Sequence, residues 1–464
     1  MVSTYSRVAR RKLLLLGGAL VLGSLNGENG RAGQLGGAVA AAQGPANDAN
    51  AQFEVWTDDP IPAGQSSQFS FRVDYPATQP PPRAMPWSTT NFRTQPEQYL
   101  RKVLDYCLEE AADRDFNFGS GSRWFHAPWL AREPLRGLTS ERRSEKGELW
   151  KDQPNGIANY AVGYYNDYGG WVFGKVWKNR AQPDTAGVRF PNGTVSCKLL
   201  FTTATPAQVP YIRDSKVWQI APRGRLRTAR LLQLDVAVKD SRATQTGWLY
   251  GTFMYLGAEN GPARPFSFAD LVAVGLMWGN DPTLGPIRAA AGGKPTQGWV
   301  NPVVAAKFAA IRSQTPGLKS DLGLYGRMNG PVDNPDSACL ACHGRALDGG
   351  KDWTAALRSS QLPFAPADPF TATASNDAKV KRFFRNLTSS QTFLPSSAAR
   401  TFVPLDYSLQ LAVGLENFHS WRRTNPAAVG GPAFMLVPRR MPWMRIVPDA
   451  DAPKRGDPAR EPVE

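Results

Sequence analysis

Cys339 and Cys342 are separated by two residues and His343 follows at once, in the run Asn334-Pro-Asp-Ser-Ala-Cys-Leu-Ala-Cys-His-Gly344. On a short helix, residues three apart share a face. Both sulfurs can then reach the two vinyl groups of one porphyrin, while the next residue turns its imidazole to the iron. C-x-x-C-H is the attachment signature of a c-type haem, with the histidine as proximal ligand. Gly344 is expected to end that helix without side-chain bulk. Three other chemistries compete for the same residues. A thioredoxin-like dithiol needs a strand–turn–helix context, which the surrounding Pro and Asn do not supply. A structural zinc needs more ligands, and the chain holds only 4 Cys and 3 His in all. A disulfide across two residues would be strained.

The other candidate residues are few. His126 sits among aromatics in Ser122-Arg-Trp-Phe-His-Ala-Pro-Trp129. It can belong to a substrate pocket or a second metal, or be a hydrogen-bonded histidine in an aromatic loop. Cys107 and Cys197 each fall on an apolar face, where a disulfide and two buried thiols are both ordinary outcomes. No Gly-rich phosphate loop and no G-x-S-x-G elbow occurs, and so few histidines leave little for a hydrolytic triad.

Which elements position these groups? Arg7, Arg10, Arg11 and Lys12 precede the apolar run Leu13 to Leu25, the pattern of an export signal. We expect it to occupy 1–42, followed by an irregular Pro-rich lead-in over 43–90. Thr94 and Glu97 make a capping box for a helix whose inner face is Leu100, Val103, Leu104, Cys107 and Leu108. Period-two patterning then places strands at 160–165, 171–177, 194–201, 232–238 and 248–256. The turn Asp240 to Gly247 makes the last two a hairpin. Beyond 285 the pattern is helical, with starts at Asn301-Pro302 and Asn334-Pro335 and further helices over 379–387 and 407–421. The expected fold is α+β and multidomain. A β-rich antiparallel sandwich or barrel-like domain (91–285) precedes a mainly α-helical haem domain (286–430), and a C-terminal extension with a flexible tail follows (431–464).

Composition narrows the class of protein. The chain has 464 residues, 42% of them hydrophobic and 20% charged, which supports a buried core. No apolar run is long enough for a spanning helix, so no transmembrane span is expected in the mature chain. The net charge is +15. With an export signal and no nucleic-acid motif, runs such as Arg223-Gly-Arg-Leu-Arg-Thr-Ala-Arg230 point to an acidic redox partner rather than nucleic acid. The expected location is the periplasm or another exported site.

The segment Gly330 to Gly344 resembles the haem-binding start of a single-haem cytochrome c domain, and the likeness extends over 286–430 at most. The whole chain resembles larger exported bacterial proteins that end in such a domain. The resemblance implies one covalent haem c, held by thioethers to Cys339 and Cys342 and ligated by His343. It also implies that Tyr407 to Phe418 is the packing C-terminal helix, with Tyr407, Leu411, Leu415 and Phe418 inward. In such cytochromes a Met normally lies between the haem motif and the last helix, but none occurs from 344 to 434. The distal candidates are therefore Met435, Met441, Met444 and Met328, then His419, or an open iron. A sixth ligand implies one-electron carriage. An open iron implies a peroxidase- or oxygenase-like haem enzyme whose substrate pocket comes from the β-rich domain.

Overall fold

The computed structural model describes residues 59–257, 265–314, 322–349, 371–391 and 402–425, together with Phe53. The expected export signal, Met435, Met441, Met444 and the C-terminal tail lie outside these residues. In chain order the elements are α1 (Pro96–Leu108), β1 (Thr139–Ser140), β2 (Asn159–Tyr165), α2 (Asp167–Val176), β3 (Val195–Thr202), β4 (Val217–Ile220), β5 (Arg227–Lys239), β6 (Trp248–Tyr255) and β7 (Leu271–Met277). Then come α3 (Pro286–Ala290), β8 (Gly298–Val300), α4 (Pro302–Gln314), α5 (Cys339–His343), β9 (Leu347–Asp348), α6 (Ala374–Phe383), β10 (Val403–Pro404) and α7 (Leu409–Thr424).

Eight strands make one antiparallel sheet in the order β1-β2-β3-β5-β6-β7-β8, with β4 paired to β5. Among the described residues the strands form this one open sheet and a separate two-stranded pairing of β9 with β10, in place of the expected sandwich or barrel-like arrangement. A helix takes the place of a sandwich's second layer. Leu100, Val103, Leu104 and Cys107 of α1 are buried with Cys197, Leu199, Leu234, Val236 and Leu249 of the sheet. Gly251 permits this close approach, because a Cβ there would lie 2.3 Å from Leu100 Cδ2. The Cys107–Cys197 disulfide ties α1 to β3, with the two Cα atoms 6.3 Å apart.

The opposite face of the sheet carries α5, which holds the C-x-x-C-H residues, and α7. Tyr165, Ala237, Trp248 and Tyr250 share a core there with Leu340, Ala341, Leu411, Leu415 and Phe418. The inward ridge expected from Tyr407 to Phe418 is buried throughout. The expected division at 285/286 runs through this sheet, since β8 pairs with β7. Both faces are covered, so the strands read as nearly continuous apolar runs.

Local signals decided most elements, with three differences. The Trp171–Trp177 stretch is helical, not a strand. Asn166 caps it, its side chain accepting from Gly169 N, and Gly170 lets the helix sit against Phe125, where a Cβ would meet the ring at 2.6 Å. Cap and packing thus outweigh aromatic β-propensity. At α1 the cap residue is Gln95, with no side-chain cap bond and Pro96 opening the helix; the Thr94 capping box does not form. The stretch Gln68 to Val73, in which Phe69, Phe71 and Val73 alternate as in a short strand, belongs to no strand. Among the described residues no helix is long and apolar enough to cross a membrane.

Candidate functional site

The antiparallel register sets the floor of the site. Cross-strand partners line up as Tyr165, Ser196, Ala237 and Tyr250 in one row and as Gly163, Lys198, Asp235 and Thr252 in the next. Same-face neighbours along a strand are about 6.8 Å apart. A cavity of about 150 Å³ opens on these rows, and Cys339, Cys342 and His343 line it from α5. Ser196 and Ala237 present short side chains to the floor, and the Gln410 amide packs directly over Gly163, where a Cβ would overlap it.

α5 is a single turn, with Ala338 as its N-cap and no side-chain cap bond. Neither cysteine is in a disulfide. The Cys339 thiol lies 3.4 Å from Asn329 Oδ1 and the Cys342 thiol 2.8 Å from Ser337 Oγ. Burial, with Asp333 and Asp235 nearby, pushes the Cys339 thiol well above its ordinary range. A redox dithiol works through a stabilised thiolate, and this environment opposes one. Gly344 packs beneath the turn, where a Cβ would lie 3.4 Å from the Tyr407 ring and 3.5 Å from Leu387.

His343 is held from two sides. Its Nδ1 is 3.0 Å from the Tyr407 carbonyl oxygen. A carbonyl only accepts, so Nδ1 carries the proton and Nε2 keeps its lone pair. Among the described residues Nε2 makes no hydrogen bond. The Tyr250 ring lies 4.4 Å from the imidazole, centroid to centroid, and its hydroxyl donates to the same Tyr407 carbonyl at 3.2 Å. Burial brings the imidazole down to about 4, so the ring is neutral at physiological pH. The Tyr407 carbonyl is itself set by an unusual backbone: Asp406 and Tyr407 both have positive φ, 46° and 69°. The carboxylate of Asp406 locks that turn, accepting from Lys239 Nζ at 2.7 Å, Trp248 Nε1 at 2.8 Å and Phe190 N at 2.7 Å.

Two unbridged thiols and a neutral imidazole offering Nε2 along one cavity wall fit the donor set of a covalently bound haem. The outer hydrogen bond from Nδ1 to a carbonyl is the usual device for orienting a ligating histidine. No cluster of three or more His, Cys, Asp or Glu that would hold a bare metal ion occurs among the described residues.

The remaining candidates are placed apart from this wall. His419 pairs with Asp348 at 3.1 Å and does not line the cavity. Met328 is buried beside Gly275, where a Cβ would lie 2.8 Å from its Cγ. His126 is fully buried outside the cavity among Phe69, Phe71 and Phe118, and its Nδ1 accepts from Arg72 N at 3.1 Å.

Polar residues of the sheet complete the floor, and sequence reasoning passed over them. Lys198 meets Glu141 at 3.0 Å. Asp235 Oδ1 accepts from Thr252 Oγ1 at 2.7 Å and Gln233 Nε2 at 2.8 Å. Gln233 also donates to Asp333 at 3.1 Å. Burial and the Asp333 charge push Asp235 up to about 8, against the pull of Lys198. A Lys and an Asp at the centres of apolar strands, in Val-Ser-Cys-Lys198-Leu-Leu and Leu-Gln-Leu-Asp235-Val-Ala, were the available signal.

No protein-family model matches the chain, and neither a curated protein nor a solved structure matches it.

Proposed function

We propose that the chain is an exported monohaem c-type cytochrome that carries electrons through a haem bound to Cys339 and Cys342 and ligated by His343. One observation carries this reading: His343 donates from Nδ1 to the Tyr407 carbonyl and keeps Nε2 for a metal, while both unbridged thiols line the same cavity. When bound, the haem supplies reversible one-electron chemistry at the iron. The chain's own part is to hold the imidazole in one tautomer, set the tilted Tyr250 ring 4.4 Å from it, and line the cavity with Val236, Tyr407 and Leu409. Export agrees with the basic-apolar N-terminal pattern and with the Cys107–Cys197 disulfide, a bond typical of oxidising compartments. The basic surface fits an acidic redox protein as partner.

A second reading is a haem enzyme with an open iron. The floor contributed by the sheet favours it, since Lys198, Asp235 and Tyr250 put ionisable groups in the same cavity as the haem motif. Carbon monoxide separates the two. Binding to the reduced protein supports the enzyme, and a low-spin reduced form that refuses it supports the carrier.

The pyridine haemochrome assay tests what both readings share. Protein matured alongside haem-attachment machinery should carry covalent haem, and the Cys339→Ala/Cys342→Ala variant should lose it. Colourless wild-type protein, or pigment that extracts freely, overturns both.

A further inference from the structure

We propose that Asp235 is a proton-binding site linked to electron transfer: its carboxylate takes up one proton when a one-electron donor reduces the haem, and releases it on reoxidation. The inference rests on the haem reading of Cys339, Cys342 and His343.

The geometry brings the two charges together. Asp235 faces the cavity from the middle strand of the sheet, in the row next to the one whose Tyr250 touches His343. Every element around it supplies a partner. Lys198 stands directly across on β3, Thr252 directly across on β6 and Gln233 two residues back on β5. Asp333 reaches in from the loop before α5, held by Gly330 N at 2.9 Å, and Glu141 engages Lys198 from behind. The Cys339 thiol closes the side toward the motif. Thr252 and Gln233 both donate to Oδ1, and among the described residues Oδ2 makes no hydrogen bond, so Oδ2 is the atom that carries the proton.

Two carboxyls sharing one poorly solvated site do not both ionise readily. Asp333 Oδ2 accepts from both Gln233 Nε2 and Gly330 N, whereas Asp235 Oδ2 has no donor among the described residues and burial pushes the Asp235 carboxyl up to about 8, so Asp235 is the member whose proton is exchangeable near neutrality. A unit charge roughly 10 Å away in a protein interior changes a carboxyl's proton affinity about tenfold. Adding an electron to the haem makes the cavity more negative by one unit, and Asp235 compensates. The balance is one electron from the donor to the iron and one proton from water to Asp235 Oδ2, with the reverse on oxidation. The same exchange serves either reading of the protein.

The test is an optical redox titration of the mature full-length holoprotein between pH 5 and 10. In wild type the midpoint potential should fall with rising pH over a window of one to two units, at a maximum slope of about 30 mV per tenfold change in proton concentration, roughly half the 59 mV of full one-proton coupling, as a tenfold change in proton affinity requires. Asp235→Asn should be flat over that window. Lys198→Met should move the window to higher pH, because loss of the ammonium raises the proton affinity of Asp235. Redox-difference infrared spectra should show a protonated carboxyl gained on reduction, missing in Asp235→Asn. A haem-loaded wild type whose potential is flat with pH overturns the proposal, as does a slope that survives in Asp235→Asn. A protein with no covalent haem fails earlier, at the reading beneath it.

Discussion

Nδ1 of His343 sits 3.0 Å from the carbonyl oxygen of Tyr407, so the imidazole of the C-x-x-C-H segment is oriented by the residue that leads into α7. On the proposed haem reading the motif supplies the ligand, but a segment 64 residues further along the chain fixes its tautomer. That segment is in turn pinned to the sheet. Ser408, the cap of α7, meets the Tyr165 hydroxyl at 2.9 Å, and Tyr250 donates to the Tyr407 carbonyl. The site is therefore shared between the C-x-x-C-H segment, the last helix and strands β2 and β6.

Replacement of His343 should abolish the low-spin spectrum. In His343→Ala the carbonyl of Tyr407 keeps its Tyr250 donor, so the surrounding turn should persist while the proximal ligand is gone. The reduced-minus-oxidised spectrum is then expected to lack the sharp α band of a low-spin haem. An α band of wild-type height and position would remove His343 from the ligand set.

Asp406 should be the most sensitive residue outside the motif. Its carboxylate, with a side chain 0% exposed, neutralises Lys239 and accepts from Trp248 and Phe190 N. Burial pushes the Lys239 ammonium down, while Asp406 pulls it back up. Asp406→Asn leaves that ammonium without its counter-charge, a change that costs about 3–5 kcal/mol for buried pairs. The same change loosens the positive-φ turn that aims the Tyr407 carbonyl. Chemical denaturation should show the loss. Covalent haem should still attach, but with a broadened spectrum. A denaturation midpoint equal to wild type would mean the ion pair adds nothing.

The contrast between motif and turn marks what sequence reasoning could reach. Cys339, Cys342 and His343 are legible because their chemistry depends on local spacing. The strands at 159–165, 195–202 and 248–255 are legible because period-two runs bounded by turns are local too. Trp171 to Val176 was misread because aromatic residues favour strands until a cap and a neighbouring ring, Asn166 and Phe125, select a helix. Lys198, Asp235 and Asp333 were out of reach for a different reason. They meet only through register and a loop 100 residues on from Gln233, and register is a property of the assembled sheet.

Loss of the Cys107–Cys197 bond should weaken the fold without touching the haem site. The bond joins α1 to β3 across a sequence separation of 90 residues, on the sheet face opposite α5. A loop of that size in the unfolded chain is substantially restricted by a crosslink, and removing a native disulfide typically costs about 2–5 kcal/mol. Cys107→Ala/Cys197→Ala should lower the unfolding midpoint by that margin and leave the haemochrome yield of properly folded protein unchanged. An unchanged midpoint with and without reductant would show that the bond does not form in solution.

His126 gives the fold an acid-sensitive element. Burial, with Arg132 and Arg72 nearby, holds its imidazole well below the ordinary value. Its Nδ1 accepts from Arg72 N at 3.1 Å, so the folded protein keeps the ring neutral, with the proton on Nε2. The unfolded chain binds a proton at about 6.5. Between that value and the lower folded one, the unfolded state holds more protons, so stability rises with pH and is lost as pH falls below about 6.5. One such group gives a slope of up to about 1.4 kcal/mol per pH unit. His126→Phe should remove one proton's worth of that slope between pH 6 and 5, at the expense of the bond to Arg72 N and a lower stability at pH 7. Denaturation curves of both proteins at those two pH values decide it: an acid slope as steep in His126→Phe as in wild type would assign the sensitivity elsewhere.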